Sequence, residues 1–180
     1  MVKKVLLAVA ALLLILVAVV ATRPARFRVE RSLVMAAPPD ALYAQVADFR
    51  RWEGWSPWAK LDPAMKTTYT GTPGEVGATY AWAGDDKVGE GRMTILELHP
   101  PGQVKVKLEF LKPFQATNET TFDLTAEPGG TRVVWSMRGE NGFIGKAMSL
   151  VMDMDRMVGA DFEKGLAQLQ RAGQAAAAPR

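Results

Sequence analysis

His99 is the only histidine among 180 residues, and there is no cysteine. A general base must come within hydrogen-bond reach of its substrate. Leu98-His-Pro-Pro-Gly102 reads as a turn between strands, a poor place for one. Asp153 and Asp155 are the nearest thing to a carboxylate pair. At i and i+2 on a helix they point to opposite sides and cannot share a metal ion or a proton. Gly71-Thr-Pro-Gly74-Glu-Val-Gly77 lacks both the glycine spacing and the strand-to-helix context of a phosphate loop, and reads as a turn. Without cysteine there is no disulfide framework, thiolate nucleophile or Cys-ligated zinc. The sequence therefore implies no metal and no cofactor. Asn118-Glu-Thr120 spells a glycosylation acceptor but falls within a strand pattern.

What remains is apolar and aromatic. Trp52, Trp55 and Trp58 recur at i, i+3 and i+6 and share a face if that segment is helical. They suit packing of short helices against the sheet edge, or a half-wet cavity mouth or membrane-contacting rim. Met148, Met152, Met154 and Met157 crowd the C-terminal third, where methionine serves either core packing or an adaptable binding surface. Tyr80, Trp82, Phe110 and Trp135 fall on the inner faces of strands opposite. Together with Met148, Val151 and Met154 they are the expected lining of an apolar pocket.

The elements that would position these residues follow from periodicity. Phe27–Met35 alternates as a strand. Pro38-Pro39-Asp40 opens a short helix, since proline is tolerated in a first turn and Asp complements the helix dipole there. Arg50–Trp58 is a second short helix or turn. Six strands follow, at 66–70, 76–82, 91–98, 104–110, 118–125 and 132–137, separated by Gly, Pro, Asp and Asn turns. Beyond Asn141-Gly142 the period becomes 3.6. Ile144, Met148, Val151, Val158, Phe162, Leu166 and Leu169 predict one helix of about 28 residues, with Gly173 and the following tail (173–180) unstructured. The fold class is α+β, an antiparallel sheet of about seven strands curving around a long C-terminal helix, with a ligand space between them.

Ahead of this domain, Val5–Ala21 is an uninterrupted apolar run behind Lys3 and Lys4. It spans roughly 26 Å as a helix, close to a hydrocarbon core of about 30 Å. It is long for a cleaved secretory segment, which typically has about 7–15 apolar residues. Residues 1–26 are read as a membrane anchor, with export after cleavage as the alternative. Lys3 and Lys4 favour an N-terminus inside and a domain outside, against Arg23, Arg26 and Arg28. The formal charge of +3 belongs to this end: from Phe27 onward 18 Lys and Arg face 19 Asp and Glu. A domain so nearly neutral lacks the basic surface that nucleic-acid binding requires.

Several stretches resemble the START-like superfamily known as SRPBCC, in its polyketide cyclase/dehydrase branch. They are Pro38-Pro39-Asp40, Asp48-Phe-Arg-Arg-Trp52-Glu-Gly-Trp55-Ser56-Pro57-Trp58, Gly89-Glu-Gly91-Arg92-Met93-Thr94-Ile95, Leu108–Phe114, Trp135-Ser-Met137 and Met152–Met157. The resemblance covers 27–172. It implies a helix-grip fold with an apolar cavity under the C-terminal helix, which in this superfamily holds lipids, sterols, polyketides or other hydrophobic molecules. It carries over no catalytic signature.

Three functions follow as expectations. The first is a membrane-tethered or exported domain that binds a hydrophobic small molecule or lipid without catalysis. The second is a cyclase or dehydratase, for which Glu90, Arg92, Thr120 and Tyr80 are the polar residues that could point inward. The third is an envelope interaction protein whose cavity is filled by its own side chains.

Overall fold

The computed structural model describes residues 1–178. Its α-helices are α1 (Val2–Ala21), α2 (Pro39–Ala47), α3 (Phe143–Met148) and α4 (Met154–Ala177); a 3₁₀ helix spans Phe49–Gly54. The strands are β1 (Arg26–Met35), β2 (Lys66–Thr70), β3 (Thr79–Ala83), β4 (Glu90–His99), β5 (Gln103–Lys112), β6 (Ala116–Glu127) and β7 (Gly130–Glu140). They form one antiparallel sheet in the order β1-β7-β6-β5-β4-β3-β2. This is the expected helix-grip arrangement: two short helices after the first strand, then a curved sheet closed by a C-terminal helix.

Strand alternation decides which residues face inward. Opposite one another across β1, β7 and β6 lie Val29, Met137 and Thr120, and one pair further along the sheet Arg31, Trp135 and Phe122. The same face continues through Val104, Val106, Leu108 and Phe110 on β5, Met93 and Ile95 on β4, and Tyr80 and Trp82 on β3. Pro39 starts α2 and Asp40 sits in its first turn. Asp48 then caps the 3₁₀ helix by accepting from the Arg50 N–H at 3.0 Å. Strand β3 begins three residues later than expected. Val76 lies in the preceding turn, exposed, because Gly74 and Gly77 take positive φ there.

The predicted single helix from Phe143 to Ala172 is two helices. Local capping overrides the continuous apolar stripe at the break: Asp153 accepts from the Arg156 N–H at 3.0 Å and starts α4 afresh. The helix also runs past Gly173 to Ala177, where an unstructured tail was expected. Gly173 is buried against Leu42 with no room for a Cβ, so it serves close packing and not termination. The alanines after it favour continuation. Of that expected tail, residues 179–180 lie outside the described residues.

Helix α4 is bolted to β1 by an ion pair reaching through the inner face. Arg31 Nη1 and Nη2 each approach the Asp155 carboxylate at 3.1 Å, Nη2 also donates to the Asp155 carbonyl at 3.0 Å, and Nε reaches Glu163 at 2.9 Å. The guanidinium lies directly against Gly159, where any side chain would collide with it. The hydrogen bonds from Arg31 hold the Asp155 carboxyl below its ordinary range. A carboxyl that titrates lower folded than unfolded contributes stability above the usual carboxylate range, about 4, and loses it as pH falls through the folded value. Acid unfolding followed by circular dichroism should show this loss in the wild type. An Arg31→Met variant should unfold with a weaker pH dependence in the same range.

Candidate functional site

The inner face divides into a filled half and an open half. The filled half is aromatic. Trp135 stacks on Phe162 of α4 with centroids 4.1 Å apart and planes 8° from parallel. Phe122 lies 4.8 Å from Trp135, and Trp55 and Trp58 meet Trp135 edge-on at 5.7 and 5.8 Å. Trp52 completes the cluster, 4.7 Å from Trp55 and 5.6 Å from Phe122. Two of the indoles are tethered to the end of α2: Trp52 Nε1 donates to the Val46 carbonyl at 3.0 Å and Trp55 Nε1 to the Gln45 carbonyl at 3.2 Å. Gly165 lets α4 descend onto this cluster, since a Cβ there would lie 2.6 Å from the Trp135 ring.

Trp52 of the 3₁₀ helix and Trp55 and Trp58 after it thus pack over Phe122 and Trp135 of β6 and β7, inside the sheet and not on its edge. Trp135, expected to line a pocket, is a core residue, buried with its Nε1 hydrogen unpaired. Edge-to-face and stacked aromatic pairs contribute about 0.5–1.5 kcal/mol each beyond area burial, so little is gained by opening this half.

The open half is lined by a second aromatic series. Tyr80 stacks near Trp82 at 5.9 Å, Trp82 meets Phe110 edge-on at 5.9 Å, and Tyr69 sits 5.3 Å from Tyr80. All four rings are half-buried. Trp82 is held as a flat platform: its Nε1 donates to the Val88 carbonyl at 3.0 Å and its ring lies directly over Gly91, which can carry no side chain there. Leu108 extends the half-buried face, and Met93, Met137, Thr120 and Asn118 follow it toward β7 as buried residues. Helix α4 packs chiefly on β1, β7 and α2; the inner residues Ile95, Val104 and Val106 of β4 and β5 are buried, while Tyr80, Trp82, Leu108 and Phe110 beyond them stay half-buried.

The polar candidates separate in the same way. Arg92 is on the outer face, paired to Glu109 at 2.9 Å, and Glu90 is paired to Lys112 at 2.8 Å. Thr120 and Tyr80 do face inward. Burial pushes the Tyr80 phenol up to about 12, so it is a neutral hydrogen-bonding group at physiological pH. Asn118 also faces inward, buried, and so lies away from any glycosylating surface. Its place beside Thr120, Phe122 and Leu124 is legible from strand alternation, the one signal that could have found it. His99 ends β4 and does not lie in the turn the sequence suggests; it is exposed beside Glu97 at 3.5 Å. Asp153 and Asp155 have separate tasks, one capping α4 and the other binding Arg31.

Met148, Val151 and Met154 lie on α3, on the link to α4 and at the start of α4, all exposed. The seven expected lining residues therefore fall into three groups: Tyr80, Trp82 and Phe110 on the open face; the three residues around the helix break; and Trp135 in the core. Elsewhere, a groove of about 600 Å³ runs between the segment after the 3₁₀ helix and α4, lined by Glu53, Lys60, Lys164, Gln168 and Arg171 among others. It is outside the concave face and carries charges of both signs.

The sequence pattern of the family described as "Polyketide cyclase / dehydrase and lipid transport" matches residues 26–174. The chain belongs to this family. Solved structures share its fold at low sequence identity. A protein from Chromobacterium violaceum is 17% identical, with a TM-score of 0.57, over 86% of this chain and 98% of its own. The ginseng (Panax ginseng) major latex-like protein 151 is 14% identical, with a TM-score of 0.56, over 86% and 99%. The di-domain ARO/CYC protein StfQ of the steffimycin biosynthetic pathway is 11% identical, with a TM-score of 0.62, over 84% of this chain and 51% of StfQ. No curated protein matches the chain. In this family setting the domain is a ligand-binding SRPBCC domain.

The two halves of the face should respond differently to truncation. Trp135→Ala should cost about 3–5 kcal/mol of stability, the range for a fully buried large aromatic. Phe110→Ala, at a half-buried ring, should cost about 1 kcal/mol. Urea unfolding of both variants measures the difference.

Proposed function

We propose that the protein is a membrane-tethered binding domain for a hydrophobic molecule with a lipid-like or polycyclic apolar body. In this reading the ligand lies along Tyr80, Trp82 and Phe110, beneath the methionines around the α3–α4 break. The observation that carries it is the half-buried aromatic series on the part of the concave face that α4 does not cover. A fixed indole platform offers a large rigid surface to a flat or chain-like apolar ligand, and methionine adapts to its outline. Thr120, Asn118 and the Tyr80 phenol supply hydrogen-bonding groups that orient a ligand. The inward-pointing residues are chiefly apolar, with Glu90 and Arg92 engaged by Lys112 and Glu109, and this supports binding over catalysis.

The tether is α1, which is apolar from Val5 to Ala21 and almost wholly exposed to the surroundings of the domain. In this reading α1 remains as a single-pass anchor, oriented by Lys3 and Lys4 with the domain on the extracytoplasmic side.

Native mass spectrometry of the full chain, released from its membrane in mild detergent, tests the binding role. The expected result is one bound apolar mass per chain. Trp82→Ala and Phe110→Ala should lose it, while Leu96→Ala, a substitution at an exposed side chain on β4, should retain it. A bare wild-type mass, or a bound mass retained in both aromatic variants, would overturn the assignment.

A further inference from the structure

The two ends of the sheet differ in a way that folding of the domain alone does not require. Strand register places the β5–β6 turn, the start of β1 and the end of β7 together at one end, since Phe110 pairs with Ala116, Asn118 with Gly139, and Arg26 with Glu140. Leu111 at the end of β5 and Phe114 in that turn protrude, 50% and 63% exposed. Phe143, Ile144 and Met148 of α3 and Val151 after it join them, Val151 at 80% exposure. At the opposite end, the β2–β3, β4–β5 and β6–β7 turns contain one large exposed apolar side chain, Val76. The apolar end also holds a charged part, the β3–β4 turn with Asp85, Asp86 and Lys87.

Helix α3 contains no buried residue. A six-residue helix is far below the length that is stable in water by itself. It packs instead beside the end of α1, where Lys146 Nζ donates to the Ala21 carbonyl at 3.3 Å. Only Thr22–Ala25 separate α1 from β1, a reach of at most roughly 14 Å. Any bilayer that α1 crosses therefore begins within one short linker of Leu111, Phe114, Phe143, Ile144, Met148 and Val151.

We infer that this end is a bilayer-docking surface. Its occupant is the membrane that holds α1, and the apolar rim lies in the interfacial layer with α3 flat upon it. Exposed phenylalanine, leucine and methionine beside cationic side chains (Arg23, Lys146) match the chemistry of that layer. Trp82 and Phe110 lie on the inner face at this same end, so docking places the open half of the concave face against the leaflet. A lipid chain then passes between bilayer and domain without crossing water. This inference rests on the proposed anchoring by α1 and gives the proposed binding face its route of entry.

The absence of cysteine makes the test direct. Phe114→Cys, Val151→Cys and Val76→Cys variants of the full chain, each labelled with a nitrobenzoxadiazole fluorophore, are reconstituted in vesicles of phosphatidylcholine and phosphatidylglycerol containing shallow spin-labelled lipid. Labels at 114 and 151 should be quenched severalfold more than the label at 76. Equal, water-like quenching at all three positions would overturn docking, as would failure of the wild-type chain to float with the vesicles. Quenching at 114 and 151 in a protein that carries no bound apolar mass would uphold docking while removing the ligand reading. A bound mass without quenching would do the reverse.

Discussion

Trp135 has Phe162 stacked on one side, with Trp55 and Trp58 set edge-on against it. This stack fixes how close α4 approaches the sheet, and the approach in turn divides the concave face. Gly165 permits the contact, because a larger residue would hold the helix off the indole. Once α4 is seated there, Leu166 and Leu169 are buried in the same core, with Val158 and Ala172 packed against it. The helix does not extend over Tyr80, Trp82 and Phe110 at the far end of the face. The open half is thus a geometrical consequence of how the filled half is packed.

Arg31 works with this stack. Aromatic contacts set the separation of helix and sheet but constrain the helix weakly along its axis. A guanidinium joined to Asp155 and Glu163, two turns apart on α4, fixes both its position and its rotation. Both carboxylates are well exposed, so the pairing matters more for geometry than for net stability. By holding Asp155 it also fixes where α4 begins. The segment Ser149–Asp153 must then leave the helical path to reach it, which frees α3 to lie against α1.

Much of this was legible in the sequence. Alternation and turn signals located all seven strands to within three residues, and the Pro38-Pro39-Asp40 and tryptophan signatures located the short helices and the family. Three features were not legible, each for a physical reason. The helix break was hidden because Met148, Val151 and Met154 keep the helical spacing across it. Periodicity records apolar spacing, whereas Asp153 acts through a single capping hydrogen bond. The end at Gly173 was misplaced because glycine signals both termination and close packing, and only the presence of Leu42 tells them apart. Trp135 was assigned to a pocket because alternation reports which face a residue occupies, not whether another ring already covers it. Tyr80, Trp82 and Phe110 share its inward direction and differ only in lying beyond the reach of α4.

The exposed residues around the break show why that distinction matters. On a continuous helix, Ile144, Met148 and Val151 would extend the stripe of Phe162 and Leu166 and turn inward. The break reverses their role. Such side chains left in water forgo the free energy that burial would give them. Scattered singly they would need no explanation, but here they share one end of the sheet with Leu111, Phe114 and the close of α1. The bilayer docking inferred above would cover them, and α1 is the helix among the described residues long and apolar enough to cross a membrane. In that reading anchor, helix break and open aromatic face form one arrangement: the packing on Trp135 leaves the far part of the concave face open, and the capping of α4 by Asp153 turns the residues at its edge outward, beside the end of α1.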